Sequence, residues 1–474
     1  MKACGLSLPL INLHRRETMY SYKVGNIIKN LEHEPKVIIA GSAAEGLGMR
    51  YDPKFKHLSS SDTDIIIIGY RFKIYEDINE KSHVEALFPK QNHVLRVPDI
   101  TNPGYSKLAV SQISKDLEKH CEFQNNKIFL KNTMKEKIFE TEEQFQTNFN
   151  IHGLAVSVNL HPRNLASYFE QEGGLTPVNI ANFEKDSCYG IDDTDFVFCL
   201  KHVKGETWPD EASEWQVRER ISKWPTKELQ HEIINSGYFL AGVGSKESNE
   251  SEIQWRMSFN KAELLLIESF NETQTHCIMF LKLLKSSRIS KQAGKNITSY
   301  SMKTLMCWCM EEKSGEFWKS SNLVNCICFC ISKLKTFVEK GFLPNYFITN
   351  RNQFNSNEFT REIQTKTKQS LEFFLEDPIG GIRLLLSTYQ MYENTPLSTL
   401  TIISEEMFIE EWLRIRVSMA NQFHVTSVHS FLNLYDGHNI SNIYLRCTEV
   451  LDKLTSISYA QPYKKLLQNC IVVQ

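Results

Sequence analysis

The sequence predicts an α+β protein with strands concentrated in its first half and helices in its second, and three observations carry that reading. Two apolar strands, Val37 to Ala40 and Ile65 to Ile68, bracket a glycine-serine turn and an Asp-Thr-Asp triplet. Leu154, Val156, Val158 and Leu160 alternate with smaller or polar residues as a strand does, and a further apolar strand, Phe196 to Leu200, follows a run of acids. From Asn271 onward, long stretches repeat apolar residues at helical spacing.

The first strand pair holds the candidate chemistry. Side chains alternate across a strand, so Asp62 and Asp64 project from the same side, where both carboxylates can hold one divalent cation. Gly41 lets the backbone approach a phosphate closely. The amides that follow can point at a triphosphate if a helix starts at Ala43, and the Ser42 hydroxyl adds a neutral contact. Either motif alone is also compatible with an ordinary turn or a solvated loop. Together, each at its own strand edge, they describe a phosphoryl-transfer geometry. Asp195, at the head of Phe196 to Leu200, completes the three carboxylates that two cations about 3.5–4 Å apart require. Asp192 and Asp193 compete for that place from further outside the strand.

At 474 residues the chain can form two or three domains, each with its own core. Its 41% apolar and 23% charged residues are those of an ordinary globular protein, and a net charge of −2 provides no global field toward nucleic acid or anionic lipid, so such binding needs a local patch. The longest apolar runs, such as LVNCICFCI, fall short of a membrane span, and the first ten residues carry no convincing signal peptide. Twelve irregularly spaced cysteines argue for a reducing compartment, so a cytoplasmic protein is expected. Cys307 and Cys309, and Cys326, Cys328 and Cys330, lie in helix-like segments where spacing two places side chains on opposite faces. They read as buried thiols rather than zinc ligands.

Two basic segments supply local patches. Residues 8 to 32 carry Leu10, Leu13, Tyr20, Val24, Ile27, Ile28 and Leu31 at helical spacing, end before Glu34-Pro35, and present His14, Arg15, Arg16, Lys23 and Lys29 on the other side. Asn271 or Thr273 caps a helix to about Ser287 on which Lys282, Lys285 and Arg288 share a face. Lys291, Lys295 and Lys303 follow, with no acid between Lys282 and Lys303. Either surface reads as a solvated helix face or as a site for phosphates. Residues 71 to 150 read as a loop, a helix from about Lys107 to His120, a strand from Lys127 to Leu130 and a charged helix from Thr133 to Phe145. Helical patterning returns around Glu405 to Met419 and Ile440 to Leu454.

WRMSFNKAE, the helix through CIMFLKLLK, and ITSYSMKT, preceded by Gly-Ser, the DxD triplet and a later strand Asp, resemble the Mab-21 family, which includes cyclic GMP-AMP synthase and the animal cGAS-like receptors. The resemblance runs from about Val37 to Phe374. It implies a bilobal nucleotidyltransferase fold with a mixed β-sheet lobe, a C-terminal helical lobe and the active site between them. The corresponding divisions are a basic spine helix (1–35), a nucleotidyltransferase lobe (36–268), a helical lobe (269–375) and a C-terminal helical extension (376–474).

Carried over residue by residue, the resemblance implies that Gly41 and Ser42 contact the donor triphosphate and that Asp62, Asp64 and Asp195 ligate two Mg²⁺ or Mn²⁺ ions. Arg256, Ser258, Asn260 and Glu263 would face the acceptor nucleotide, Lys285 would bind triphosphate, and Ser299 and Tyr300 would contact phosphate and stack on a base. Charge placement makes Arg15, Arg16, Lys282, Arg288, Lys291 and Lys295 the expected nucleic-acid face. The implied activity is synthesis of a cyclic dinucleotide from ATP and GTP in innate immunity, switched on by nucleic acid, with a homodimer on that ligand compatible with the family. The family's first metal position carries Glu in cyclic GMP-AMP synthase and Asp62 here, and RYDPKFKHL lengthens the loop before it. The His/Cys zinc insertion of the vertebrate DNA sensor is not visible, which favours double-stranded RNA over DNA as activator. The competing readings are a catalytically silent Mab-21-like binding protein and a template-independent RNA polymerase.

Overall fold

The structure is a computed structural model that describes residues 36–48, 50–52, 57–59, 63–69, 72–77, 79, 81–87, 92–111, 117–133, 149–152, 155–158, 194–202, 208–354 and 357–388. The expected helix over residues 8–32 with Arg15 and Arg16, the acids Asp62, Asp192 and Asp193, nearly all of the charged helix after Thr133, and the helical patterning beyond residue 400 lie outside the described residues.

Alternating apolar residues build the strands β1 (Lys36–Ala40), β2 (Arg50–Asp52), β3 (His57–Ser59), β4 (Thr63–Ile68), β5 (Phe72–Tyr75), β6 (Asn92–Pro98) and β7 (Tyr105–Val110). They continue with β8 (Cys121–Gln124), β9 (Lys127–Leu130), β10 (Phe149–His152), β11 (Ala155–Val158), β12 (Thr194–Lys201), β13 (Phe239–Ala241) and β14 (Gln254–Ser258). The main sheet runs β1-β4-β12-β13-β14-β7-β6-β5, with β11 joining β10 to β12 and β9 joining β8 to β7, while β2 and β3 form a separate hairpin. β4 with β12 and β5 with β6 are parallel pairs; the other strand pairs are antiparallel. β12 is central, with β4 along one edge and β11 then β13 along the other.

The two faces of β12 go to different cores. Phe198 and Leu200 pack with Ile74, Leu108, Leu240 and Trp255, whereas Val197 and Cys199 join Ile66, Ile68, Phe239 and Ala241. The strand from Lys127 to Leu130 forms as predicted. The predicted helix from Lys107 is instead β7, in which Ser106, Leu108 and Val110 point inward. Its neighbour β6 is hard to see in the sequence because Arg96 occupies an inward position between Val94 and the strand end. That guanidinium is accommodated by Glu76 (3.0 Å), Glu211 (2.9 Å) and the Ser106 hydroxyl (3.0 Å).

The helices are α1 (Gly41–Ala44), α2 (Lys81–Leu87), α3 (Ser213–Val217), α4 (Lys227–Ser236), α5 (Asn260–Glu268) and α6 (Glu272–Leu284). Next come a π turn (Lys285–Ile289), α7 (Ser290–Ala293), α8 (Ser299–Glu312), α9 (Leu323–Lys340), α10 (Arg361–Glu376) and α11 (Pro378–Thr388). Asn271, not Thr273, caps α6, in a capping box with Gln274; Thr298 and Ser301 do the same for α8. α6 is buried on nearly every side, as befits the central helix of its unit. Cys307, Cys309, Cys326 and Cys330 are buried within the helices, as expected, whereas Cys328 is only half-buried. Among the described residues no helix is long and apolar enough to cross a membrane.

One apolar cluster continues from Trp255 in the sheet to Cys277, Leu281, Leu305, Ile331 and Leu371 in the helices, so no seam separates the two parts. A buried charge cluster ties them further. Glu311 near the end of α8, 6% exposed, accepts from Arg220 Nε (2.7 Å), Arg218 Nη1 (3.3 Å) and the Tyr346 hydroxyl (2.8 Å). Removing the carboxylate strands two guanidinium groups away from water. Glu311→Ala is therefore expected to cost about 3–5 kcal/mol of stability in chemical denaturation, the range for breaking a buried ion pair; an unchanged midpoint would show that the cluster holds nothing.

Candidate active site

The parallel pairing of β4 with β12 sets Asp64 directly opposite Asp195. Adjacent strands lie about 4.8 Å apart and residues in register rise from the same face, so the two carboxylates stand side by side. Alternation puts them on the face of Ile66, Ile68, Val197 and Cys199, at its polar end. Asp62 lies outside the described residues; among those that are described, no group of three or more His, Cys, Asp or Glu is arranged to hold a metal ion.

Asp64 is also opposite Ala40 on β1, which brings it against the turn that follows. Gly41 has φ +70°, and a Cβ there would lie 1.7 Å from Asp64 Oδ2. The left-handed backbone favours glycine here, and any Cβ would push the Asp64 carboxylate from its seat. Helix α1 begins at Gly41, two residues earlier than the sequence suggests.

Lys282 corrects the sequence reading. Expected on an exposed nucleic-acid face, it is 6% exposed, and its ammonium donates to Ser42 Oγ (3.0 Å) and to the Leu47 carbonyl (2.7 Å). The lysine beside Ser42 is therefore Lys282, while Lys285, assigned to triphosphate from the resemblance, opens the π turn and is half-buried. The wider π turn rotates everything after Leu284 relative to an α-helical continuation, so the shared face of Lys282, Lys285 and Arg288 does not persist. Arg288 is half-buried, and Lys291 and Lys295 are exposed.

A second charged cluster lies beside the aspartates. Lys303, one turn along α8 from Tyr300, bonds Glu45 Oε1 (2.6 Å), approaches Glu263 Oε2 (3.9 Å) and stands 5.5 Å from the Tyr300 ring centroid. The Tyr300 hydroxyl donates to Glu263 Oε1 (2.8 Å) and accepts from Asn345 Nδ2 (3.2 Å). Burial lowers the Lys303 pKa, but Glu45, Glu263 and Asp64 outweigh it and hold the ammonium above its ordinary value. Burial raises the Glu263 carboxyl against the opposing pull of Lys303, and burial followed by the Glu263 charge pushes the Tyr300 phenol well above its usual range.

Arg256 lies between Ala241 and Tyr105 in register and so shares the face of Cys199 and the aspartates. Burial and then the charge of Arg351 lower its pKa. Ser258 donates to Asn260 Oδ1 at the start of α5, and Ser299 is half-buried in the first turn of α8. Glu45, Asn345 and Arg351 are participants that no sequence motif announces, and in the sequence Lys303 is only part of a basic run. Their signal was slight: Glu45 is four residues beyond Gly41, and Lys303 is three beyond Tyr300.

A mixed sheet with two acids in register beside a glycine-serine turn, continued by a helical unit, has the architecture of a nucleotidyltransferase fold. Residues 82–269 match the model of the Mab-21 protein nucleotidyltransferase domain and residues 273–372 that of the Mab-21 protein HhH/H2TH-like domain. Together these matches cover more than half of the chain, which belongs to the Mab-21 family. It is 26% identical over 175 residues to Protein mab-21-like 3 of Danio rerio, across 36% of this chain and 42% of that protein, so the matched region spans less than half of the relative. The nucleotidyltransferase match starts beyond Gly41 and Asp64, whose relation rests on the structure itself.

Gly41→Ala would force a Cβ into the Asp64 carboxylate and impose a left-handed conformation on an L residue. A loss of about 1–3 kcal/mol from the backbone alone is expected in denaturant titration. A variant as stable as the parent would mean that Asp64 is not seated on the glycine.

Proposed function

We propose that the chain is a metal-dependent nucleotidyltransferase of the cGAS-like receptor kind. In this reading it joins ATP and GTP into a cyclic dinucleotide such as cyclic GMP-AMP, in the cytoplasm and in innate immune signalling, when it binds nucleic acid, double-stranded RNA in preference to DNA. The observation that carries the reading is the in-register pair Asp64 and Asp195 beside Gly41. Paired carboxylates are hard oxygen donors, the kind that suits Mg²⁺ or Mn²⁺. Asp64 and Asp195, with Asp62 from the sequence spacing, would hold two such ions, which when bound favour the ionised acceptor hydroxyl and neutralise the leaving pyrophosphate.

The remaining work falls to positioning. Ser42 Oγ accepts from Lys282, which leaves its own proton to donate to a donor phosphate oxygen. Lys282 adds fixed positive charge at that position, and Lys285 sits at the next turn. Arg256, Ser258, Asn260 and Glu263 orient the acceptor, and the Tyr300 ring offers a flat face to a base. Lys303, held between Glu45 and Glu263, fixes α8 against α1 and α5 so that these groups are in place before substrate arrives.

Purified protein given ATP, GTP, Mg²⁺ or Mn²⁺ and a panel of double-stranded RNA and DNA is expected to form a nuclease-resistant dinucleotide detectable by mass spectrometry. Asp64→Asn and Asp195→Asn should each lower its yield by about 10²–10³-fold, the scale of losing one charge-stabilising group. Equal product from Asp64→Asn removes the assignment. Long linear products indicate a polymerase instead, and no product with any ligand leaves the silent binding protein.

Arg15, Arg16, Lys291 and Lys295 are proposed to meet the phosphate backbone. Reversing all four to glutamate should abolish stimulation by double-stranded RNA, whereas undiminished stimulation excludes that surface.

A further inference from the structure

Away from the aspartates, the π turn and α7 face α10 and α11 across an open cavity of about 450 Å³. Its walls include Arg288, Gln292, Lys366, Gln369, Ser370 and Phe373. Polar groups on the wall of an open cavity are hydrated when no protein partner meets them, and a ligand can take the place of that water. Gln292 contributes to the wall, while its Oε1 is shielded from solvent and has no hydrogen-bond partner among the described residues. Nor does any hydrogen bond or ion pair among the described residues engage the Arg288 guanidinium or the side chains of Gln369 and Ser370. Lys366 is paired with Glu362 at 2.6 Å, an exposed contact that leaves it close to the opening. Phe373 is 52% exposed, large for an aromatic ring on a packed helix. The cavity borders on a π segment, a distortion frequent at functional sites, and Arg288 sits within that segment.

These groups define a ligand by what each lacks. A guanidinium fork matches the oxygens of a phosphate or carboxylate. The Gln369 amide and the Ser370 hydroxyl on the same wall can meet a hydroxyl or amine. An exposed phenyl ring offers stacking to a flat heterocycle. The volume falls within the range of small-molecule sites. A phosphate, hydroxyl or amine donors and a planar ring occur together in a nucleotide. We propose that this cavity is a mononucleotide-binding site distinct from the paired aspartates. The inference uses none of the residues assigned to nucleotidyl transfer, and it gives Arg288, expected from the sequence on the nucleic-acid face, to this cavity instead.

The test is calorimetric titration of the 474-residue chain with AMP, GMP and inorganic phosphate in EDTA, where divalent cations do not load the aspartates. AMP or GMP is expected to bind, and Arg288→Gln and Phe373→Ser should each weaken that binding by about tenfold or more, as loss of a charged hydrogen bond or a stacking face does. Both side chains reach the surface, and thermal unfolding checks that the variants remain folded; Ser370→Ala, which removes a single hydroxyl, is a third variant expected to weaken binding by a smaller factor. The proposal is overturned if neither nucleotide binds at millimolar concentration, if both Arg288→Gln and Phe373→Ser bind as the parent does, or if inorganic phosphate binds as tightly as AMP. It is equally overturned if Arg256→Gln rather than Arg288→Gln abolishes binding, because the nucleotide would then sit among the aspartates. Dinucleotide synthesis is measured separately, so failure here leaves that reading standing.

Discussion

The parallel register of β4 and β12 is the constraint on which the candidate site depends. It places Asp64 and Asp195 opposite each other although 130 residues separate them in the chain. A slip of one residue in either strand would turn one carboxylate to the opposite face and bury it in the larger apolar core. The apolar sequence after each acid prevents this. Ile66 and Ile68 on β4 and Val197 and Cys199 on β12 fill one core, and the large side chains Phe198 and Leu200 fill the other. The acids are held by the hydrophobic pattern of the strands they begin.

The helical unit does more than cap the sheet. Lys282 from α6 reaches Ser42, and Lys303 from α8 reaches Glu45, so both residues after the Gly41 turn that carry polar side chains are held by cations from the helices. The far end of α8 is tied back to the segment after α3 by Glu311, Arg218 and Arg220. A helix anchored at both ends, with one apolar core beneath it, presents Tyr300 and Lys303 in fixed positions. Such preorganisation suits chemistry in which charge must be met at a defined place.

How much was legible from sequence depended on how local each signal was. β1, β4 and β12 could be seen because uninterrupted apolar residues adjoin their turns and acids. β6 was obscured by Arg96, whose burial is acceptable only because Glu76 and Glu211 arrive from distant parts of the chain. β7 reads as a helix in the sequence because Leu108 and Val110, followed by further apolar residues, satisfy both periods over a short run. Lys282 differs from its sequence expectation for another reason: α6 is enclosed on nearly every side, so its lysine turns inward to Ser42 and Leu47, and that enclosure is a tertiary fact. The ion pairs of Lys303 required knowing that α1, α5 and α8 converge. Asp64, Asp195 and Gly41 are each visible in the sequence, but their mutual fit is a tertiary fact.

The close seating of Asp64 on Gly41 makes the two positions interdependent in evolution. While the acid stays, a side chain at position 41 would displace its carboxylate; once the acid is lost to a small residue, that conflict lapses and only the preference for a left-handed backbone remains. A branched or bulky residue at the corresponding turn of a relative would therefore be a fossil of an abandoned carboxylate, readable without assaying that protein at all.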